Sequence, residues 1–153
     1  MGLSEDIKQP KFKSEFEKVL VNLMFTNNWL NEQEFYMFKP HGITKPQYNV
    51  LRILRGQQPK AVTINLIIDR MLDRMSNVSR IVDKLVLKNL VTRVQNDKDR
   101  RAVDVKISEK GMDLLAELDK DMARFMEKLN VLDVQEAAQI NSFLDRLRGS
   151  DQD

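Results

Sequence analysis

Leu90–Gly111 reads LVTRVQNDKDRRAVDVKISEKG, and this stretch decides the fold. Leu90, Thr92 and Val94, then Val103, Val105 and Ile107, recur at every second position, the period of a β-strand. Between the two runs lies Asn96-Asp97-Lys98-Asp99-Arg100-Arg101, too charged for a core and suited to a hairpin tip. Immediately upstream, Asn77–Lys88 carries the three-and-four spacing of a helix. Asn89 stands where that helix must reverse into a strand, and asparagine tolerates the left-handed backbone such a reversal needs.

Helix, strand, basic tip and strand, in that order, is the layout of a winged helix-turn-helix. Two short helices precede the hairpin, as that motif requires. Thr63 is placed to cap the first, built on Ile64, Ile67, Ile68 and Met71, and Leu72–Met75 connects them. Ser76 is expected to cap the second, with Val78, Ile81, Val82 and Leu85 as its apolar stripe. Upstream again, Thr44 caps a helix that buries Tyr48, Val50, Leu51, Ile53 and Leu54, with Pro46 in its first turn and Gly56–Pro59 ending it.

Outside this centre the pattern is helical. Glu15–Phe38 reads as a long amphipathic helix, stopped by Lys39-Pro40-His41-Gly42. After the hairpin, Ser108 caps a helix with Leu115, Leu118, Met122, Phe125, Met126 and Leu129 on one side. Asp133 opens the last helix, with Ala137, Ile140, Phe143, Leu144 and Leu147 apolar, and residues 149–153 read as a frayed tail. The fold class expected is therefore mainly α with a small β-hairpin wing (α+β). A winged helix-turn-helix at 44–110 would be flanked by dimerisation helices at 11–39 and 111–148, because these helices offer more apolar surface than one small winged domain covers.

Composition narrows the function. With no cysteine and one histidine, His41, there is no disulfide, no thiol chemistry and no expected metal site; His41 beside Pro40 and Gly42 reads as a loop residue. The carboxylates fall beside Lys or Arg on helix faces, no nucleophile–base pattern or phosphate-binding glycine loop is present, and no enzyme is expected. Neither a signal peptide nor an apolar run of membrane-spanning length is visible, so a cytoplasmic protein without membrane contact or cofactor is expected. The net charge of +2 is unevenly spread. Lys45–Lys110 holds 15 Lys/Arg against 7 Asp/Glu, a net +8, and the remainder is net −6. A basic centre between acidic ends suits a module that faces phosphate.

On Ser76–Leu85 and on Asp99-Arg100-Arg101 followed by Ile107-Ser108-Glu109-Lys110-Gly111, the chain resembles the MarR family of bacterial transcriptional regulators. Two departures stand out: Asn89 in place of a glycine, and Leu72-Asp73-Arg74-Met75 without the glycine common in that turn. The resemblance implies a homodimer whose outer helices intertwine, a helix in the major groove of double-stranded DNA and a wing in the adjacent minor groove. Ser76, Asn77, Ser79 and Arg80 are then the candidates for base contact and Lys84, with Lys88, for phosphate. Arg80 could instead pair internally with Asp83 or Asp73. Arg100 or Arg101 would probe the minor groove, with Asp99 holding an arginine in place. A small aromatic effector is a further implication, for which Trp29, Tyr36, Tyr48 and Arg52 are the candidates; an ordinary aromatic core is the plainer reading of that group. The function expected is a dimeric repressor of an approximately palindromic operator, the alternative being a winged-helix protein-interaction module without DNA readout.

Overall fold

The structure is a computed structural model that describes residues 2–149. In order, the elements are α1 (Leu3–Asp6), α2 (Glu15–Phe38), α3 (Lys45–Gly56), α4 (Ile64–Arg70), α5 (Val78–Leu87), β1 (Val91–Gln95), β2 (Val103–Ile107), α6 (Glu109–Glu127) and α7 (Val134–Leu147). Single 3₁₀ turns occupy Lys39–His41 and Lys128–Val131. The one-turn α1 has no counterpart in the sequence pattern. From Ser150 on, the expected tail lies outside the described residues.

The helix starts follow from local chemistry. Thr44 accepts the Gln47 amide while the Gln47 side chain returns to the Thr44 amide, and Asp133 and Glu136 repeat this reciprocal cap on α7. Thr63 accepts from the Leu66 amide, and Ser108 accepts from the Gly111 amide at 3.0 Å. One expectation fails: Asn77, not Ser76, caps α5, its Oδ1 accepting the Arg80 amide at 3.2 Å. The Ser76 hydroxyl is screened from solvent and has no partner among the described residues. The chain at Asn77 is still extended, so the first free amides of the helix lie within reach of its side chain, one position later than Ser76.

The chain divides into two compact units, one running to Leu115 and one from Ala116. In the first, α3 packs on α4, α5 and β2, and α5 packs on β1. Its core comprises Leu51, Leu54, Ile67, Val82, Leu85 and Val105 with their neighbours. Helix α2 buries only Phe38 in this core and contacts α3. In the second unit α7 has no buried residue at all.

The hairpin departs from the sequence reading in phase. Val91 lies opposite Ile107, Arg93 opposite Val105 and Gln95 opposite Val103. Paired residues share a face, so the inward face of β1 carries Val91 and Arg93, while Thr92 and Val94 lie with Lys106 and Asp104 on the other. The cause is upstream. Asn89 takes φ 58°, and the reversal buries both Leu90 and Val91 in succession, after which the rest of β1 is exposed. The outer edge of β2 is also occupied: Val62 and Val105 exchange both backbone hydrogen bonds, at 2.9 and 2.8 Å, which no local pattern announces.

Candidate nucleic-acid interface

Helix α5 has two unlike faces. Val78, Val82 and Leu85 are buried, and Ser79, Arg80, Asp83, Lys84 and Leu87 point outward. Of these, Asp83 is not free: Arg93 of β1 forms an ion pair with it. Asp73 is also occupied, its carboxylate accepting the Met75 amide at 2.9 Å. Arg80 therefore pairs with neither acid, and it and Lys84 are exposed cations on a face whose one carboxylate is already neutralised. Lys88 is different. It is half-buried, and its ammonium donates to the Gly42 carbonyl and to Gln47 Oε1, tying the end of α5 to the start of α3. In the free chain the Lys88 ammonium, for which the sequence suggested a phosphate contact, is thus engaged within the fold.

The turn before α5 is built from side chains where a glycine would otherwise ease the bend. Asn49 Oδ1 receives the Leu72 amide at 2.9 Å from across α3. Arg74 donates to the carbonyls of Ile68 and Asp69, closing the C-terminus of α4 with a cation. These roles of Asn49 and Arg74 carry no local sequence signal, because each partner comes from another element or from the previous turn.

At the wing tip, Asn96 organises the bend. Its Oδ1 accepts the amides of Lys98 and Asp99 at 2.9 and 3.0 Å, and its Nδ2 donates to Asp104 at 3.0 Å. Asp99 receives the Arg101 amide at 2.9 Å, so it holds that arginine by the main chain and not by the guanidinium. The side chains of Arg100 and Arg101 are exposed. At the base of the wing Ser108 donates to the Asn89 carbonyl at 2.7 Å, and Lys110 reaches the Lys88 carbonyl at 3.2 Å. Gly111 is required there: a Cβ would stand 2.3 Å from the Leu90 carbonyl oxygen and 2.7 Å from Ile107 Cγ1.

Of the four effector candidates, only Tyr48 and Arg52 meet. Tyr48 is buried against Phe38, ring centroids 4.5 Å apart, and its hydroxyl accepts from Arg52 at 3.0 Å. Tyr36 is exposed beside Phe35. Trp29 lines a separate hollow with Leu3, Asp6, Asn22, Phe25 and Thr26. A shallow cleft between α2 and α3 is lined by Asn31, Phe35, Phe38, Ile43, Thr44 and Lys45, and contains none of the four.

Comparison with known proteins accounts for this arrangement. A model of the MarR family matches residues 41–102. The HTH-type transcriptional regulator MhqR of Bacillus subtilis (strain 168) is 32% identical over 110 residues, 70% of this chain and 73% of that protein. The chain belongs to the MarR family. A second relative from the same organism, the HTH-type transcriptional repressor MdtR, is 30% identical over 115 residues, covering 72% of the chain and 73% of the repressor. The fold agrees with that of the S. aureus MepR–DNA complex, with a TM-score of 0.77 at 18% identity over 92% of this chain and 99% of that one. In MarR-family terms α4 and α5 are the helix-turn-helix, and β1–β2 is the wing. Among the described residues no helix is long and apolar enough to cross a membrane.

Proposed function

We propose that this MarR-family chain is a cytoplasmic, homodimeric repressor that binds an approximately palindromic operator through 44–110 and dimerises through 11–39 and 111–148. The observation that carries the DNA reading is the outer face of α5. Arg80 and Lys84 stand exposed there, and the only carboxylate between them is bound to Arg93. Such a face suits a groove lined with phosphate and base acceptors. Arg80 and Ser79 reach base edges, Lys84 a phosphate, and Arg100 or Arg101 the neighbouring minor groove. Ser76 and Asn77 support them, since the hydroxyl of one is turned from solvent and the amide oxygen of the other is held by the cap. The repressor sense follows the relative MdtR, and the DNA mode the MepR–DNA complex.

Dimerisation is argued from exposed apolar surface. Phe16, Leu20, Met24 and Phe25 of α2 and Ile140, Phe143 and Leu147 of α7 all face solvent in the single chain. Contiguous apolar helix faces of this kind are costly in water, and a second copy buries them. A small aromatic effector that shifts the population away from the DNA-competent spacing completes the proposal. Tyr48 with Arg52 is the pair best placed to sense it, since a hydroxyl and a guanidinium already meet there.

The test is capture of fragmented genomic DNA by the purified protein, with sequencing of what is retained. A recurrent two-fold-symmetric motif that disappears with Arg80→Ala is the expected result. Absence of any enriched motif at moderate salt overturns the reading in favour of a protein-interaction module.

A further inference from the structure

The turn of the helix-turn-helix presents two large apolar side chains where a polar surface is expected. Leu72 is 82% exposed and Met75 is 91% exposed, both in the turn that delivers the chain into α5. They do not belong to the core, to α2 or to α7. Their positions are nonetheless fixed. The Leu72 amide is held by Asn49 Oδ1, the Met75 amide by Asp73 Oδ1, and the intervening Arg74 by the end of α4. A disordered loop could leave such side chains free to fold back, but a turn pinned at three points holds them outward. In sequence, the exposed Arg70 and Arg80 flank the pair, with Arg74 between its members; the exposed carboxylates nearby are Asp69 and Asp73, the latter accepting the Met75 amide.

A pinned apolar pair in the turn that leads directly into α5, the helix that carries Arg80, is complementary to one feature of double-stranded DNA. The major groove is polar and anionic except at the C5 methyl of thymine, which is its apolar landmark. We propose that Leu72 and Met75 are specificity-determining residues that read thymine methyl groups at the edge of the site occupied by α5. The inference rests on the DNA-binding reading above and adds to it a base class and two residues. Arg80 can select guanine by hydrogen bonding, whereas Leu72 and Met75 select by removing a methyl group and their own surface from water. An unbranched thioether adapts to the methyl's position, and the leucine supplies a stiffer contact.

The experiment uses the duplex enriched from genomic DNA, resynthesised with deoxyuridine replacing thymidine one position at a time. Uracil retains every hydrogen-bonding group of thymine and lacks only the methyl. Wild-type protein is expected to lose about fourfold in affinity at one or two positions per half-site, the worth of one CH₂-sized group buried. In Leu72→Ser or Met75→Ser the same uracil substitution should cost nothing, because the partner of the methyl is gone. Both residues are exposed, so these variants keep the fold, which circular dichroism checks. Equal binding of thymine and uracil duplexes overturns the proposal while leaving the DNA-binding reading standing. So does a uracil penalty that persists in both variants, since the methyl is then read elsewhere. If no duplex is enriched at all, the DNA-binding reading falls and takes this one with it.

Discussion

Asn77 and Ser76 show how much one position matters. Asn77 closes the first turn of α5 through the Arg80 amide, whereas Ser76 has an unpartnered hydroxyl. Asn77→Ala should therefore destabilise the protein by about 1 kcal/mol, the usual worth of an N-cap. Ser76→Ala should be neutral or slightly stabilising, because it removes a screened polar atom that bonds nothing. Urea denaturation of the two variants checks the order, and a larger loss at Ser76 would contradict the cap assignment. Gly111 is a sharper case. The Leu90 carbonyl and Ile107 leave no room for a Cβ, so Gly111→Ala should cost about 1–3 kcal/mol, the range for overpacking a close contact. Of these two signals, the glycine was visible in the sequence as part of the wing motif. The cap was displaced because two capping residues stand side by side, and only backbone direction chooses between them.

At the scale of elements, the ion pair between Asp83 and Arg93 joins α5 to β1. Both side chains are about half exposed, so the pair contributes at most about 1 kcal/mol to stability. Its larger effect concerns DNA. Arg93→Ala should leave the thermal midpoint nearly unchanged while lowering operator affinity several-fold, because a bare carboxylate then stands between Arg80 and Lys84. Adding Asp83→Asn should recover much of that loss. Fluorescence anisotropy on the four proteins of this cycle measures the coupling, and additive losses would show that the pair does not tune the face. Arg93 carries no signal of this role in the sequence. An arginine on a strand reads as outward-facing until the register opposite Val105 and the proximity of α5 are known. The helix starts at Thr44, Thr63, Ser108 and Asp133 were legible because a cap spans three residues of one chain segment. The bridge of Val62 to β2 was not, because its partner is more than forty residues away.

At the scale of the whole molecule, two properties should appear in solution. The exposed apolar faces of α2 and α7 predict a dimer by sedimentation equilibrium, and Phe16→Lys or Phe143→Lys should shift it toward monomer. A monomeric wild type at micromolar concentration would refute the dimer. Operator affinity should fall steeply with salt. A plot of log affinity against log salt should flatten by about one unit per half-site on removing one phosphate-binding lysine such as Lys84, as counterion release requires.

The sequence by itself determined the helix starts at Thr44, Thr63, Ser108 and Asp133, the left-handed residue at Asn89, the hairpin and the basic centre, since each depends on neighbours a few residues apart. Tertiary structure decided the phase of β1 and the inward use of Lys88. It also left Arg80 and Lys84 exposed and sent Asp83 to Arg93. A charge is available to a ligand only when no other element has claimed it, and those claims are made between segments distant in sequence.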